Sequence, residues 1–89
     1  MKYRIKISTR CKRQLKKYKY MPKVLDALKR CVEELADGTL SPSWWSHKLQ
    51  GDSRDLRELH VFPDVLLIYG YEGEECVLIQ IGSHSDLFG

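Results

Sequence analysis

The sequence predicts an α+β fold in the order βααβββ: an N-terminal strand, an antiparallel helical hairpin, then a three-strand antiparallel meander. Three observations carry this expectation. Apolar residues alternate with cations over positions 2–7, two later stretches repeat apolar residues at helical spacing, and the second half holds three strand-like runs separated by turn residues. The expected product is an antiparallel sheet of about four strands with the helices on one face. The 89 residues suit a single domain, 1–89. A chain of that length buries roughly 60% of its unfolded surface, enough to fold without staples.

Each element has its own local reason. Tyr3, Ile5 and Ile7 alternate with Lys2, Arg4 and Lys6, the pattern of a half-buried strand. Ser8-Thr9 supplies an N-cap, and Cys11, Leu15 and Tyr18 form a thin apolar stripe on a helix otherwise covered by Lys and Arg. Pro22 suits the first turn of a new helix and not the interior of the old one. Val24, Leu25, Leu28, Val32 and Leu35 make the second stripe, and Gly38 closes it. Residues 38–53 read as loop, within which Trp44 and Trp45 are expected to seal the chain onto the helices, RNA stacking being the alternative. Residues 54–61, Val65–Tyr71 and Cys76–Gly82 read as strands, with turns at Phe62-Pro63-Asp64 and Glu72-Gly73-Glu74. The run at 65–69 is apolar on both faces, as a central strand requires.

The charge is unevenly spread. Residues 1–30 carry twelve Lys and Arg against one acid, Asp26, whereas residues 31–89 carry three against eleven acids. Such a split fits a basic face for a polyanion, nucleic acid first, and equally fits a solvated helix surface. Other classes are excluded. The longest aliphatic run, Val65-Leu66-Leu67-Ile68, is far short of the roughly 20 residues of a membrane span. The charged start has no apolar stretch behind it, so no signal peptide is expected. Three widely spaced cysteines, Cys11, Cys31 and Cys76, fit buried small hydrophobes in a reducing cytoplasm rather than a disulfide framework or zinc knuckle.

The chemistry-bearing residues gather late in the chain. The three histidines are His47 in the loop, His60 at the end of a strand and His84 just beyond the last strand. In an antiparallel meander the ends of alternate strands share one edge, so His60 and His84 are expected to converge, with Asp64 in the turn after His60 and His47 leading into the sheet. Imidazoles with a carboxylate suit proton transfer near neutral pH. Lys48, Arg54 and Arg57 are cations able to hold a phosphate, and Phe88 offers a face for a base. Without a nucleophile elbow or a phosphate-cradling glycine loop, the simplest chemistry is RNA cleavage, in which the ribose 2′-OH is the nucleophile. Singly, each histidine also fits an ordinary surface role. A metal set of His47, His60, Asp64 and His84 lacks any compact ligand motif.

Three ordered motifs carry a family resemblance. His47-Lys48-Leu49-Gln50-Gly51 resembles the H-x-L-x-G of YafQ-type toxins in the RelE superfamily. The run from Arg57 to Tyr69, RELHVFPDVLLIY, resembles R-[DE]-x-H-V-x-P-D-x-[LI]-L-[LIV]-Y, and the end from Ile81 to Phe88 matches x-G-[ST]-H-x-x-L-F. The likeness spans nearly the whole chain, the basic helices agreeing in layout more than in letters. It implies a RelE-like fold and a toxin of a bacterial type II toxin–antitoxin pair: an endoribonuclease that enters the ribosomal 30S A site, contacts rRNA and cuts translated mRNA. It also implies a cognate antitoxin, a small DNA-binding dimer that completes a heterotetramer and through which the pair reaches operator DNA. No cofactor, metal or membrane is implied, and the location is cytoplasmic. Carried over, His47, His60, Asp64 and His84 fall on active-site positions and Phe88 on a C-terminal aromatic. His84 would be the general acid, His60 with Asp64 would activate the 2′-OH, and His47 would orient or stabilise charge. Lys48, Arg54, Arg57 and Phe88 would bind substrate. Val65 departs from the Trp that some relatives carry there. A non-catalytic antitoxin-binding module and a metal-dependent nuclease are the competing readings.

Overall fold

The computed structural model describes residues 2–51 and 55–89, so Arg54 lies outside the described residues. The elements are β1 (Arg4–Ile7), α1 (Thr9–Leu15) running into a 3-10 turn (Lys16–Tyr18), α2 (Pro22–Asp37), a second 3-10 turn (Pro42–Trp44), β2 (His47–Lys48), β3 (Leu56–Phe62), β4 (Val65–Glu72), β5 (Glu75–Gly82) and α3 (His84–Phe88). Ser8 caps α1 by accepting the Cys11 N–H, Pro22 stands in the first turn of α2, and Gly38 ends α2 at φ 71°. That left-handed angle is why glycine belongs at the end of α2.

The strands form one sheet in the order β1-β5-β4-β3-β2. Its β2–β3–β4–β5 portion is antiparallel, as the sequence predicts, but β1 runs parallel to β5, with Ile5 opposite Cys76. The sheet is therefore mixed and five-stranded rather than antiparallel and four-stranded. Alternation along a strand fixes its buried face and says nothing about its direction, which the helical crossover sets here. The two-residue β2 and the five-residue α3 are further elements in stretches too short for periodicity to register.

One face of the sheet carries the helical layer. Cys11, Tyr18, Val24, Ala27, Cys31 and Leu35 pack with Leu59, Leu67, Tyr69, Cys76, Leu78 and Ile81 in a single cluster. Each fully buried Leu there contributes about 1.5–3 kcal/mol. The buried stripe of α2 is Val24, Ala27, Cys31 and Leu35, while Leu25, expected inside, is exposed. Trp44 seals the loop as expected, buried and donating its indole N–H to Glu34 Oε1 at 3.0 Å. Trp45 does not: it sits at φ 54° with 71% of its surface exposed, since the left-handed turn throws it outward. All three cysteines are free and buried, and burial pushes their thiols up, Cys31 to about 12 and Cys11 and Cys76 to about 11.

Candidate active site

Chain geometry at one end of the sheet brings several of the singled-out residues together. His47 pairs with Glu58 across β2 and β3, and its Nε2 lies 2.5 Å from Glu58 Oε1. On its other side Nδ1 lies 3.2 Å from the Trp45 carbonyl oxygen. Both partners are acceptors, so the two bonds form together only when both ring nitrogens carry protons. His47 is thereby held between two acceptors at the edge of the sheet. Glu58 is largely buried, its side chain 15% exposed, and a buried carboxylate needs such a partner.

His84 opens α3 directly after β5. Ser83 caps that helix by accepting the Asp86 N–H, and Asp86 reciprocates by accepting the Ser83 N–H, a complete capping box. The backbone N–H of His84 donates to Asp64 Oδ1 at 3.2 Å, which ties the β3–β4 turn to the start of α3. Asp64 stands at φ 57°, a left-handed position that Asp tolerates. The ring of Phe88 lies 5.1 Å from that of His84, tilted by 51°.

An open cleft of about 310 Å³ is lined by His47, Lys48, Glu58, His84 and Phe88, together with Leu49 and Gln50. Here the chain presents an imidazole paired with a carboxylate, a second imidazole on a helix start, a lysine and an aromatic face. Such a set can hold an anionic group, move a proton and stack a planar ring. His60 stands apart from this cleft. It lies two residues beyond Glu58 on β3, opposite Leu66, with Trp45 edge-on at 5.8 Å, and it lines a neighbouring hollow with Trp44, Trp45 and Arg30. Gly82, which leads into His84, is also opposite Leu66, so His60 and Gly82 are two strand spacings, about 10 Å, apart. The two strand ends do share one edge of the sheet, but their histidines are not in contact. Arg57 belongs to another surface, where its Nε donates to Ser46 Oγ at 3.4 Å beside Tyr69.

Glu58 fills the acid position of the R-[DE]-x-H motif without being singled out there as a site residue. Its signal was present, because positions 58 and 60 of a period-2 strand share a face. Among the described residues, no three His, Cys, Asp or Glu side chains are gathered so as to hold a metal ion.

Comparison with known proteins places these features in context. The profile of the family described as YafQ toxin, a bacterial toxin of type II toxin–antitoxin systems, matches residues 3–89. A metal-bound toxin from Helicobacter pylori is similar in structure at a TM-score of 0.88 and 34% identity, covering 97% of this chain and 99% of that one. The Escherichia coli DinJ–YafQ toxin–antitoxin complex gives 0.88 at 28% identity with both chains covered completely. YafQ from E. coli strain BL21(DE3) gives 0.85 at 27% identity, covering 98% and 99%. No curated protein matches the chain.

Proposed function

The chain belongs to the YafQ family of bacterial type II toxin–antitoxin toxins, and from that premise we propose that it is a ribosome-dependent endoribonuclease cutting translated mRNA in the A site. The observation that carries the reading is the cleft that places His47 and His84 together with Lys48 and Phe88. In the proposed reaction a base takes the proton of a ribose 2′-OH and O2′ attacks the adjacent phosphorus. The bond from phosphorus to O5′ breaks, and an acid delivers a proton to that leaving oxygen. The products are a 2′,3′-cyclic phosphate and a free 5′-OH.

His84 is the proposed acid, since it stands exposed at the cleft on a capped helix start. His60 with Asp64 is the proposed base, on the same edge of the sheet. His47, held between Glu58 and the Trp45 carbonyl, is proposed to orient the substrate or stabilise charge. Phe88 beside His84 supplies a stacking face, and Lys48 a cation for phosphate. Arg54 and Arg57 remain proposed substrate contacts, Arg57 from the surface beyond β2. The E. coli relative is described in complex with DinJ. We extend that arrangement to this chain as a cognate antitoxin, a DNA-binding dimer that assembles a heterotetramer with the toxin and brings it to operator DNA.

The test is expression without antitoxin, with cuts in translating mRNA mapped by primer extension. Wild type should arrest growth and cut, and His84→Ala should do neither while keeping its circular dichroism spectrum. A wild-type protein that binds antitoxin tightly and makes no cuts would establish the non-catalytic reading instead. The H. pylori relative is described as metal-bound, so cleavage on preassembled ribosomes is repeated in chelator. Loss of cutting, restored by a divalent ion, would replace acid–base chemistry with a metal-dependent reaction.

A further inference from the structure

Helix α3 is five residues long and has no buried residue, yet it carries two of the groups that face the cleft. A helix this short does not hold its shape in water unaided. Its placement is therefore set by its ties. The capping box closes its first turn, and Asp64 holds the His84 N–H. Beneath it Gly82 leaves no room: a Cβ there would meet Asp86 Cβ and Leu87 Cδ2 at 3.2 Å. The remaining tie reaches across to the helical layer, where Lys17 Nζ donates to Asp86 Oδ2 at 2.7 Å.

We propose that Lys17 is a positioning residue for the cleavage reaction, fixing through Asp86 the placement of α3 that brings His84 and Phe88 to the cleft. This rests on the reading of His84 as the catalytic acid. Lys17 is suited to the task because its own segment is stitched to β5. Ser8 Oγ donates to the Ile79 carbonyl at 2.7 Å, and the Ile81 N–H donates to Gln14 Oε1 at 2.8 Å. Tyr18, the next residue, is buried in the core, so the backbone that carries Lys17 is anchored on the cluster. One oxygen, Asp86 Oδ2, accepts from both Lys17 and the Ser83 N–H, so the cross-layer tie and the helix cap share an atom. The Lys17 bond is also the first cause that holds the Asp86 carboxyl below its ordinary range. With side chains 58% and 47% exposed, the pair adds little to global stability, as is usual for surface ion pairs. Its effect is local to α3.

The experiment is single-turnover cleavage on preassembled ribosome–mRNA complexes at saturating full-length toxin, with amide exchange of Leu87 and Gly89 measured on the free protein. Lys17→Ala and Asp86→Asn should each slow cleavage by about 10-fold, the order of loss that misplacing a reacting group causes. Asp86→Asn keeps an oxygen for the cap and removes the charge, and it should leave the half-saturating toxin concentration unchanged. The double variant should be no slower than either single, and Lys17→Arg should recover most of the rate. Both amides should exchange faster in Lys17→Ala and Asp86→Asn. Wild-type cutting by Asp86→Asn would overturn the proposal. So would a Lys17→Ala loss that appears only as a raised half-saturating toxin concentration, since Lys17 would then act as one cation of the basic surface. If wild type itself makes no cuts, the proposed function fails separately, and unchanged amide exchange in the variants would overturn the tie as well.

Discussion

At His47 two acceptors face two ring nitrogens, and this arrangement has consequences that single substitutions expose. Glu58→Gln keeps the size of the side chain but removes the carboxylate that pairs with the His47 ring. It should slow cleavage while leaving the fold intact by circular dichroism, whereas a rate equal to wild type would remove His47 from the reaction. Trp45 meets both histidines, holding His47 with its carbonyl and packing its ring T-shaped against that of His60. The cysteines behave oppositely, as inert core residues. Their raised thiols and burial predict that a water-soluble disulfide reagent leaves all three unlabelled in the native protein and labels all three in denaturant. The motifs made His47, His60, Asp64 and His84 legible because they are unusual residue types at fixed spacing. Glu58 is marked by its place in the R-[DE]-x-H motif and on the His60 face of β3, but only the pairing across the sheet shows that it holds His47.

Among the elements, the ends of β5 and α1 are the sensitive junction. β1 stops at Ile7, opposite Leu78, so beyond that point β5 has lost its parallel neighbour. Gln14 takes over by accepting the Ile81 N–H. Gln14→Ala leaves that donor without its partner and should cost about 1–3 kcal/mol in chemical denaturation. Gly82→Ala acts on placement: its Cβ crowds Asp86 and Leu87, so α3 must shift. It should depress cleavage far more than it lowers the denaturation midpoint, and a cleavage rate unchanged from wild type would show that α3 tolerates the displacement. On α2, Leu35 is fully buried, and Leu35→Ala should cost about 2–5 kcal/mol. The helices, their caps and the three long strands were legible because each repeats a pattern over a full turn or several alternations. Leu25 misled because it neighbours the stripe in sequence while Ala27, small and weakly hydrophobic, takes the buried place.

For the molecule as a whole, the separation of charge becomes a surface property. The cations of α1, its 3-10 turn and the start of α2 are mostly exposed, so the polyanion reading concerns the surface of the helical layer, which Lys17 joins to α3. Ribosome association should weaken steeply as salt rises, because each neutralised phosphate releases counterions, and salt-independent binding would remove this face from the account. Stability should fall on the alkaline side. Buried Cys11 and Cys76 keep their protons to about 11, while the unfolded chain gives them up in the ordinary thiol range. Their stabilisation is complete below that range and is lost as pH rises from it to about 11, which denaturation midpoints between neutral and alkaline pH would register. By itself the sequence determined the longer helices and strands and most of the faces they bury, and it marked out which rare side chains are candidates for chemistry, because those properties depend on neighbours a few positions away. Tertiary structure alone decided that β1 runs parallel to β5, that Glu58 holds His47, that His60 stands apart from the cleft, and that Lys17 reaches Asp86. Each of these joins segments distant in the chain, and no local pattern encodes the distance between them.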